Sequence, residues 1–323
     1  MKIFKIILFS ALAVAGFFFS LTHGSVEISA GEVFTNFFVE SLTDETRRQI
    51  LENIRLPRTI AAMLVGINLA LSGAILQAVM KNPLADPHII GISSGAGLFG
   101  IFVLLIYDDA GALMTPAAFI GAMLAAILIY ILAWKDGIKP IRIILAGVAV
   151  SAFLGAGISA LLIFHSEKVH GALMWMVGGF SARSWTHVQL LYPYTIVGTI
   201  LTILSARHLN ILQLGDEVAK GLGLRVHLTR TFLTALAALL AASAVCVAGL
   251  LGFVGLIIPH TARLLIGSDY RFLLPATAFL GAAVVIFSDT FARVIFAPIE
   301  LPVGILMAAL GAPFFLYLLR REI

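Results

Sequence analysis

Residues 55–97 read RLPRTIAAMLVGINLALSGAILQAVMKNPLADPHIIGISSGAG. Two arginines three apart precede an apolar run from about 59 to 80, and a bilayer-crossing helix needs roughly 20 such residues. The run ends at Lys81-Asn82-Pro83-Leu84-Ala85-Asp86-Pro87-His88, a polar turn with two prolines, and a second apolar run begins at about 89. A β-barrel strand would be about 9–11 residues of strict alternation, whereas these runs are continuous and twice as long, so both read as helices. Within the first, Gly66, Ala70, Gly73 and Gln77 share one face and suit close helix packing. Leu64, Ile67, Leu71 and Ile75 share the other and suit lipid. Gly91 and Gly95 add a GxxxG at the start of the next span.

The same pattern repeats along the chain. Apolar runs lie at about 3–22, 59–80, 89–107, 113–134, 141–164, 187–205, 229–250, 253–266, 272–292 and 302–319. The eighth is short and holds Pro259, which predicts a tilted or broken helix. Gly171 to Phe180 is apolar but too short to span, and reads as a re-entrant or interfacial helix. Of 323 residues, 60% are hydrophobic and 12% charged. An average soluble domain is about 25% charged, so a soluble enzyme, a disordered chain and a coiled coil are excluded. The fold class is all-α: a polytopic membrane protein of about ten helices, one domain over 1–323.

Lys2 and Lys5 before Ile6–Leu21 resemble a signal-peptide n-region. The run is long for an h-region and further spans follow, so it reads as a retained first span. With the N-terminus inside, 14 of the 21 Lys and Arg fall in inner segments, favouring N-in and C-in. Outer loops hold most of the acids, among them Glu27, Glu32, Glu40, Asp44, Asp108, Asp109 and Glu300. The net charge of +4 is no nucleic-acid signature, and Cys246, the one cysteine, packs in an apolar run and allows no disulfide.

No Gly-Lys pair occurs, so a P-loop is impossible and any ATP is bound elsewhere. No HExxH, Gly-x-Ser-x-Gly or dinucleotide fingerprint appears. Charges inside spans are few. Asp289 and Arg293, four apart, are placed to pair with each other, and Arg263 to snorkel. No acid lies mid-span, which argues against ion coupling.

Arg55 and Arg58 before span two read either as snorkelling side chains or as a docking site for carboxylates. The turn from Lys81 to His88 reads as a tight connection or as part of an inner gate. The longest inner loop, about 206–227, holds Asp216 and Glu217 as a helix start and Gly221 or Gly223 as its end. It is either a solvated connector or a handle for a soluble partner. His165 and His170 flank Glu167 in an outer loop; no further ligand accompanies them, and no metal site is read there.

Residues 55–97 resemble the permease subunits of ABC importers for iron-siderophores, haem and cobalamin, the FecCD-type or type II importers. GFVGLIIPHTARLLIG (252–267) and ELPVGILMAALGAPFFLYLL (300–319) are similar to two further signatures of that family, and 144–162 and 175–179 also match. The resemblance covers about 50–320, in order.

It implies a ten-helix permease in a bacterial cytoplasmic membrane, surrounded by lipid and paired with a second permease subunit, identical or related. Two ATPase subunits would bind ATP and magnesium, so this chain needs no cofactor, and a substrate-binding protein would dock outside. By the same resemblance, Arg55, Arg58 and Arg293 receive acids of the binding protein. Asn82 and Leu84 form the cytoplasmic gate, with a second element near Lys139-Pro140. The segment around Asp216, Glu217, Ala219, Gly221, Leu222 and Gly223 couples to the ATPase. Spans five and ten line the pathway. The cargo is an iron-siderophore or haem, with cobalamin as the alternative. An ion-coupled carrier would need a mid-span acid or paired broken helices. A membrane enzyme would need a cluster of acids and histidines at one face, where only His260 and Arg263 stand close.

Overall fold

The apolar runs set the architecture, because in lipid a backbone must satisfy its own hydrogen bonds and the helix does so within each segment. The computed structural model describes all residues except 25, 40, 41, 43, 108–110, 136–139 and 323. Glu40, Asp108 and Asp109, expected as outer acids, and Lys139, expected near a second gate element, therefore lie outside the described residues. Fifteen α-helices are described, and no strand. The ten expected spans are α1 (Lys2–Thr22), α4 (Leu56–Val79), α5 (Ile92–Ile106), α6 (Gly111–Ala133), α7 (Pro140–Phe164), α9 (Trp185–Leu204), α12 (Val226–Ala248), α13 (Val254–Ile266), α14 (Tyr270–Val294) and α15 (Val303–Glu322). Between them lie α2 (Ala30–Phe38), α3 (Glu45–Gln49), α8 (Val169–Val177), α10 (Ala206–Gln213) and α11 (Asp216–Gly221). Seven of the described helices are long and apolar enough to cross a membrane, and α5, α13 and α15 are shorter apolar helices.

Helix α4 is the axis of the bundle. A π-helical turn, Ile50–Arg55, joins it to α3 in one 35-residue run. It packs on α12, α13, α14 and α9. Its small-residue face behaves as expected: a Cβ on Gly66 would run into the Gly281 carbonyl of α14, and one on Gly73 into the Gly255 carbonyl of α13. Gln77 donates to the carbonyl of Leu256 at 3.1 Å. The opposite face corrects the lipid assignment. Leu71 and Ile75 are fully buried and Leu64 is 9% exposed. The reason is α12, which lies along that side. Asn68 donates to Ser243 Oγ at 3.0 Å, and Ser72 to the Ala237 carbonyl at 2.7 Å. The mostly uncovered long helices are instead α1, α6, α7 and α9.

Helices α5 and α13 both begin inside the bundle. At 15 and 13 residues, they are about 22 and 20 Å long, short of a hydrocarbon core of about 30 Å. The eighth span is thus a short helix, continuous through Pro259 rather than broken at it. The third starts at Ile92 rather than 89, because Pro87–Ile90 is a 3-10 turn and Gly91 turns left-handed at φ 65°. Of the GxxxG pair, Gly95 meets Gly121 of α6, while Gly91 forms this turn. The two irregular entries are tied together. His88 Nε2 donates to the Leu251 carbonyl at 3.1 Å, and the Ser93 hydroxyl donates to His88 Nδ1 at 2.5 Å. Such backbone is tolerated at depth because protein encloses it. Helix α8, the expected re-entrant segment, stops at Gly178, where the Gly178–Gly179 backbone meets α12 and the start of α15. Gly179 N donates to the Ala248 carbonyl at 2.8 Å and Gly304 N to the Gly178 carbonyl at 3.1 Å.

Candidate functional site

The charged side chains of the apolar bundle gather at its two ends. One end holds the starts of α4 and α9 and the finishes of α1 and α14. All three arginines assigned to docking lie there, but each is turned inward. Arg58 is 6% exposed. Its Nε and Nη2 donate to the two oxygens of Asp289 at 2.9 and 3.0 Å, and its Nη1 to Glu300 at 2.7 Å. Arg55, 2% exposed, donates to the carbonyls of Leu21 (2.7 Å), Thr22 (3.1 Å) and Val26. Arg293, 6% exposed, donates to the carbonyl of Ser20 at 2.9 Å. The expected Asp289–Arg293 pair is therefore replaced: Asp289 belongs to Arg58, from α4, and Arg293 to α1.

The carboxylates make this end a clasp. Arg58 joins α4 to α14 through Asp289, and to the α14–α15 connection through Glu300. A bidentate guanidinium–carboxylate pair fixes both planes, which a lysine would not. Glu300 is 36% exposed at its side chain and also accepts from Ser181 at 3.3 Å. Arg183, in the α8–α9 connection, counts in the sequence only as one of the expected outer cations and carries no motif there. Burial, and to a lesser extent the charge of Arg58, hold its guanidinium below the ordinary value.

At the opposite end the Lys81–His88 turn and α11 come together. Asn82 and Leu84 are half-buried, and Asn82 Oδ1 accepts from Leu84 N at 2.9 Å. A cavity of about 420 Å³ is lined by Leu84, Asp86, His88, Gly252, Phe253, Leu256 and Phe315. It places the turn against α15 and the break before α13. Pro140, beside the undescribed Lys139, begins α7.

Helix α11 runs from Asp216 to Gly221, as its acids and glycines suggested. Gly223 closes it in a left-handed turn at φ 82°. Ala219 is fully buried and is the one buried side chain of α11, while Glu217, Val218 and Leu222 face out. A Cβ on Gly221 or Gly223 would meet nothing. Asp216 accepts from Lys81 Nζ at 2.7 Å and from Arg230 Nη2 at 3.0 Å. Partial burial raises its pKa, but these two cations outweigh it and hold the carboxyl below the usual carboxylate value. Helix α10 anchors the same region: Asn210 bonds Asp269 Oδ1 and Tyr270 N, and Gln213 bonds the Tyr270 hydroxyl.

Other candidates take bland places. Cys246 is buried, its thiol on the Ser243 carbonyl. Arg263 reaches the Tyr270 hydroxyl at 3.4 Å. His165 bonds the carbonyl of Leu161. Among the described residues no group of three His, Cys, Asp or Glu is placed to hold a metal ion.

Comparison with known proteins agrees with this architecture. The chain is 40% identical to the Fe(3+)-citrate import system permease protein YfmE of Bacillus subtilis, over 94% of this chain and 90% of that protein. It is 42% identical to the cobalamin import system permease protein BtuC of Halobacterium salinarum, over 86% and 76%. It is 38% identical to the hemin transport system permease protein HmuU of Yersinia pestis, over 94% and 92%. A solved metal-chelate type ABC transporter in an inward-facing conformation superposes with a TM-score of 0.87 at 29% identity, over 98% of both chains. The model of the FecCD transport family matches residues 12–321, and the chain belongs to that family as a multi-pass membrane permease.

Proposed function

We propose that the chain is the membrane-spanning permease subunit of an ATP-driven importer for a metal chelate, an iron-siderophore or haem. The observation that carries this is the joint match in sequence and fold: relatives along nearly the whole chain are import permeases, and the matching structure is a metal-chelate transporter. The 42% identical cobalamin permease keeps cobalamin as the second reading.

In this reading the arginine end faces outside and the α11 end faces the cytoplasm, with both termini cytoplasmic. Two ATPase subunits bind ATP and magnesium and press on α11, whose exposed Glu217, Val218 and Leu222 form the contact face with Gly221 and Gly223 open beside them. A second permease subunit completes the pathway, and a substrate-binding protein delivers cargo from outside. Arg55, Arg58 and Arg293 belong to the rim it approaches. Because their guanidinium groups are already engaged, acids of the binding protein would compete with Asp289 and Glu300 for Arg58, and with backbone carbonyls for Arg55 and Arg293, rather than meet free charges. Asn82 and Leu84 act as the cytoplasmic gate, supported by the cavity that Leu84 shares with Phe315 of α15. ATP binding and hydrolysis then shift the population between outward- and inward-open forms.

The test is reconstitution of the chain with its ATPase and binding-protein partners, offered ferric citrate, a ferric hydroxamate, haem and cobalamin in turn. Uptake of an iron chelate or haem supports the reading. Uptake of cobalamin alone assigns the second, and uptake of none with all partners bound contradicts both.

A further inference from the structure

Helices α4 and α11 end in the same motif, with different residues at its critical position. At the end of α11 the amides of Gly223 and Leu224 reach back to the carbonyls of Lys220 (2.9 Å) and Ala219 (3.0 Å). At the end of α4 the amides of Lys81 and Asn82 reach back to Ala78 (3.2 Å) and Gln77 (3.1 Å). Both are Schellman turns, whose left-handed position is usually glycine. In α11 it is Gly223, at φ 82°. In α4 it is Lys81, at φ 50°, where a side chain costs backbone energy that glycine would avoid.

Lys81 spends that strained position on one contact. Its Nζ lies 2.7 Å from Asp216 Oδ1, 135 residues further along the chain. Asp216 is the first residue of α11, and its carboxylate also accepts from Arg230 of α12, whose side chain is 3% exposed. One carboxylate therefore ties together the end of α4, α11 and α12. Helix α11 has little else to hold it, since Ala219 is its one buried side chain. The residue after Lys81 is Asn82, which caps Leu84 N and accepts from Ala85 N at 3.1 Å. The gate turn is thus rigid and starts one residue from the ionic contact. A half-exposed ion pair adds little to stability, so stability alone would favour glycine at 81.

We propose that the Lys81–Asp216–Arg230 junction is a positioning element that carries displacement of α11 to the gate turn at Asn82–Leu84. The proposal rests on the importer reading, with α11 as the ATPase contact. When α11 moves, Asp216 carries the Lys81 ammonium with it, and the turn follows as a unit.

The experiment uses the complete transporter in proteoliposomes and measures cargo taken up per ATP hydrolysed for Lys81→Gly, Asp216→Asn and Lys81→Arg. Lys81→Gly relieves the left-handed strain, so it folds and retains its ATPase subunits. The expected result is a several-fold fall in cargo per ATP for Lys81→Gly and Asp216→Asn, with Lys81→Arg close to the unmodified chain. An unchanged ratio in Lys81→Gly and Asp216→Asn would overturn the junction's role. So would loss of the ATPase subunits from Lys81→Gly, which would make the junction an assembly contact. Absence of ATP-driven uptake by the unmodified chain would sink the importer reading, and the junction's role with it.

Discussion

Removing Arg58 is the sharpest perturbation of the arginine end. Its Nε and Nη2 sit 2.9 and 3.0 Å from Asp289, with the two side chains 7% and 2% exposed. Taking away one partner of a buried pair leaves an uncompensated charge and typically costs about 3–5 kcal/mol. The Glu300 arm is different, because that carboxylate is 36% exposed and water can replace the guanidinium. An exposed pair of this kind is worth about 0–1 kcal/mol. Arg58→Met should therefore destabilise the chain by about 3–5 kcal/mol and Glu300→Gln by no more than about 1. Combining Arg58→Met with Asp289→Leu should recover most of the loss, since apolar replacement of both partners removes the orphaned charge. Equilibrium unfolding of the purified chain in detergent, arranged as a double-mutant cycle, reads these differences. If Arg58→Met cost less than about 1 kcal/mol, or the double variant lost the sum of the singles, the clasp would be a surface contact and the reasoning would fail.

The glycines divide sharply. Gly73→Ala drives a methyl into the Gly255 carbonyl and should cost about 1–3 kcal/mol or more in the same unfolding assay. Gly221→Ala meets nothing and should leave the fold intact or stabilise it by up to about 1 kcal/mol; Gly221→Pro, which removes a helical donor, should lower ATPase stimulation in the assembled transporter. Asn68→Ala and Ser243→Ala each break one buried interhelical bond and should cost about 0.6–2 kcal/mol. Their double variant should lose clearly less than the sum, checked by the same cycle.

The ten helices were legible because run length and apolarity are local properties. Their ends moved where a local conformation intervened: the left-handed Gly91 delays α5, and Gly249, at φ 75°, stops α12 short. The small-residue face of α4 could be read, but not which face meets lipid, since that depends on where α12 packs. Spacing suggested Asp289 with Arg293, yet Asp289 pairs with Arg58, 231 residues away. Long-range partners leave no periodic trace. For the same reason Arg55 and Arg58 looked like outward charges, and the link from Lys81 to Asp216 was invisible. The helix signals of α11, by contrast, were all within eight residues of one another.

The central claim is that cargo crosses through this chain at the expense of ATP in partner subunits. The most direct test loads proteoliposomes of the full complex with ATP and follows entry of a radiolabelled ferric chelate or haem. The account predicts uptake that stops when ATP is replaced by a non-hydrolysable analogue and persists when a protonophore collapses the proton gradient. Uptake that ignored ATP and vanished with the protonophore would contradict it and make the chain an ion-coupled carrier.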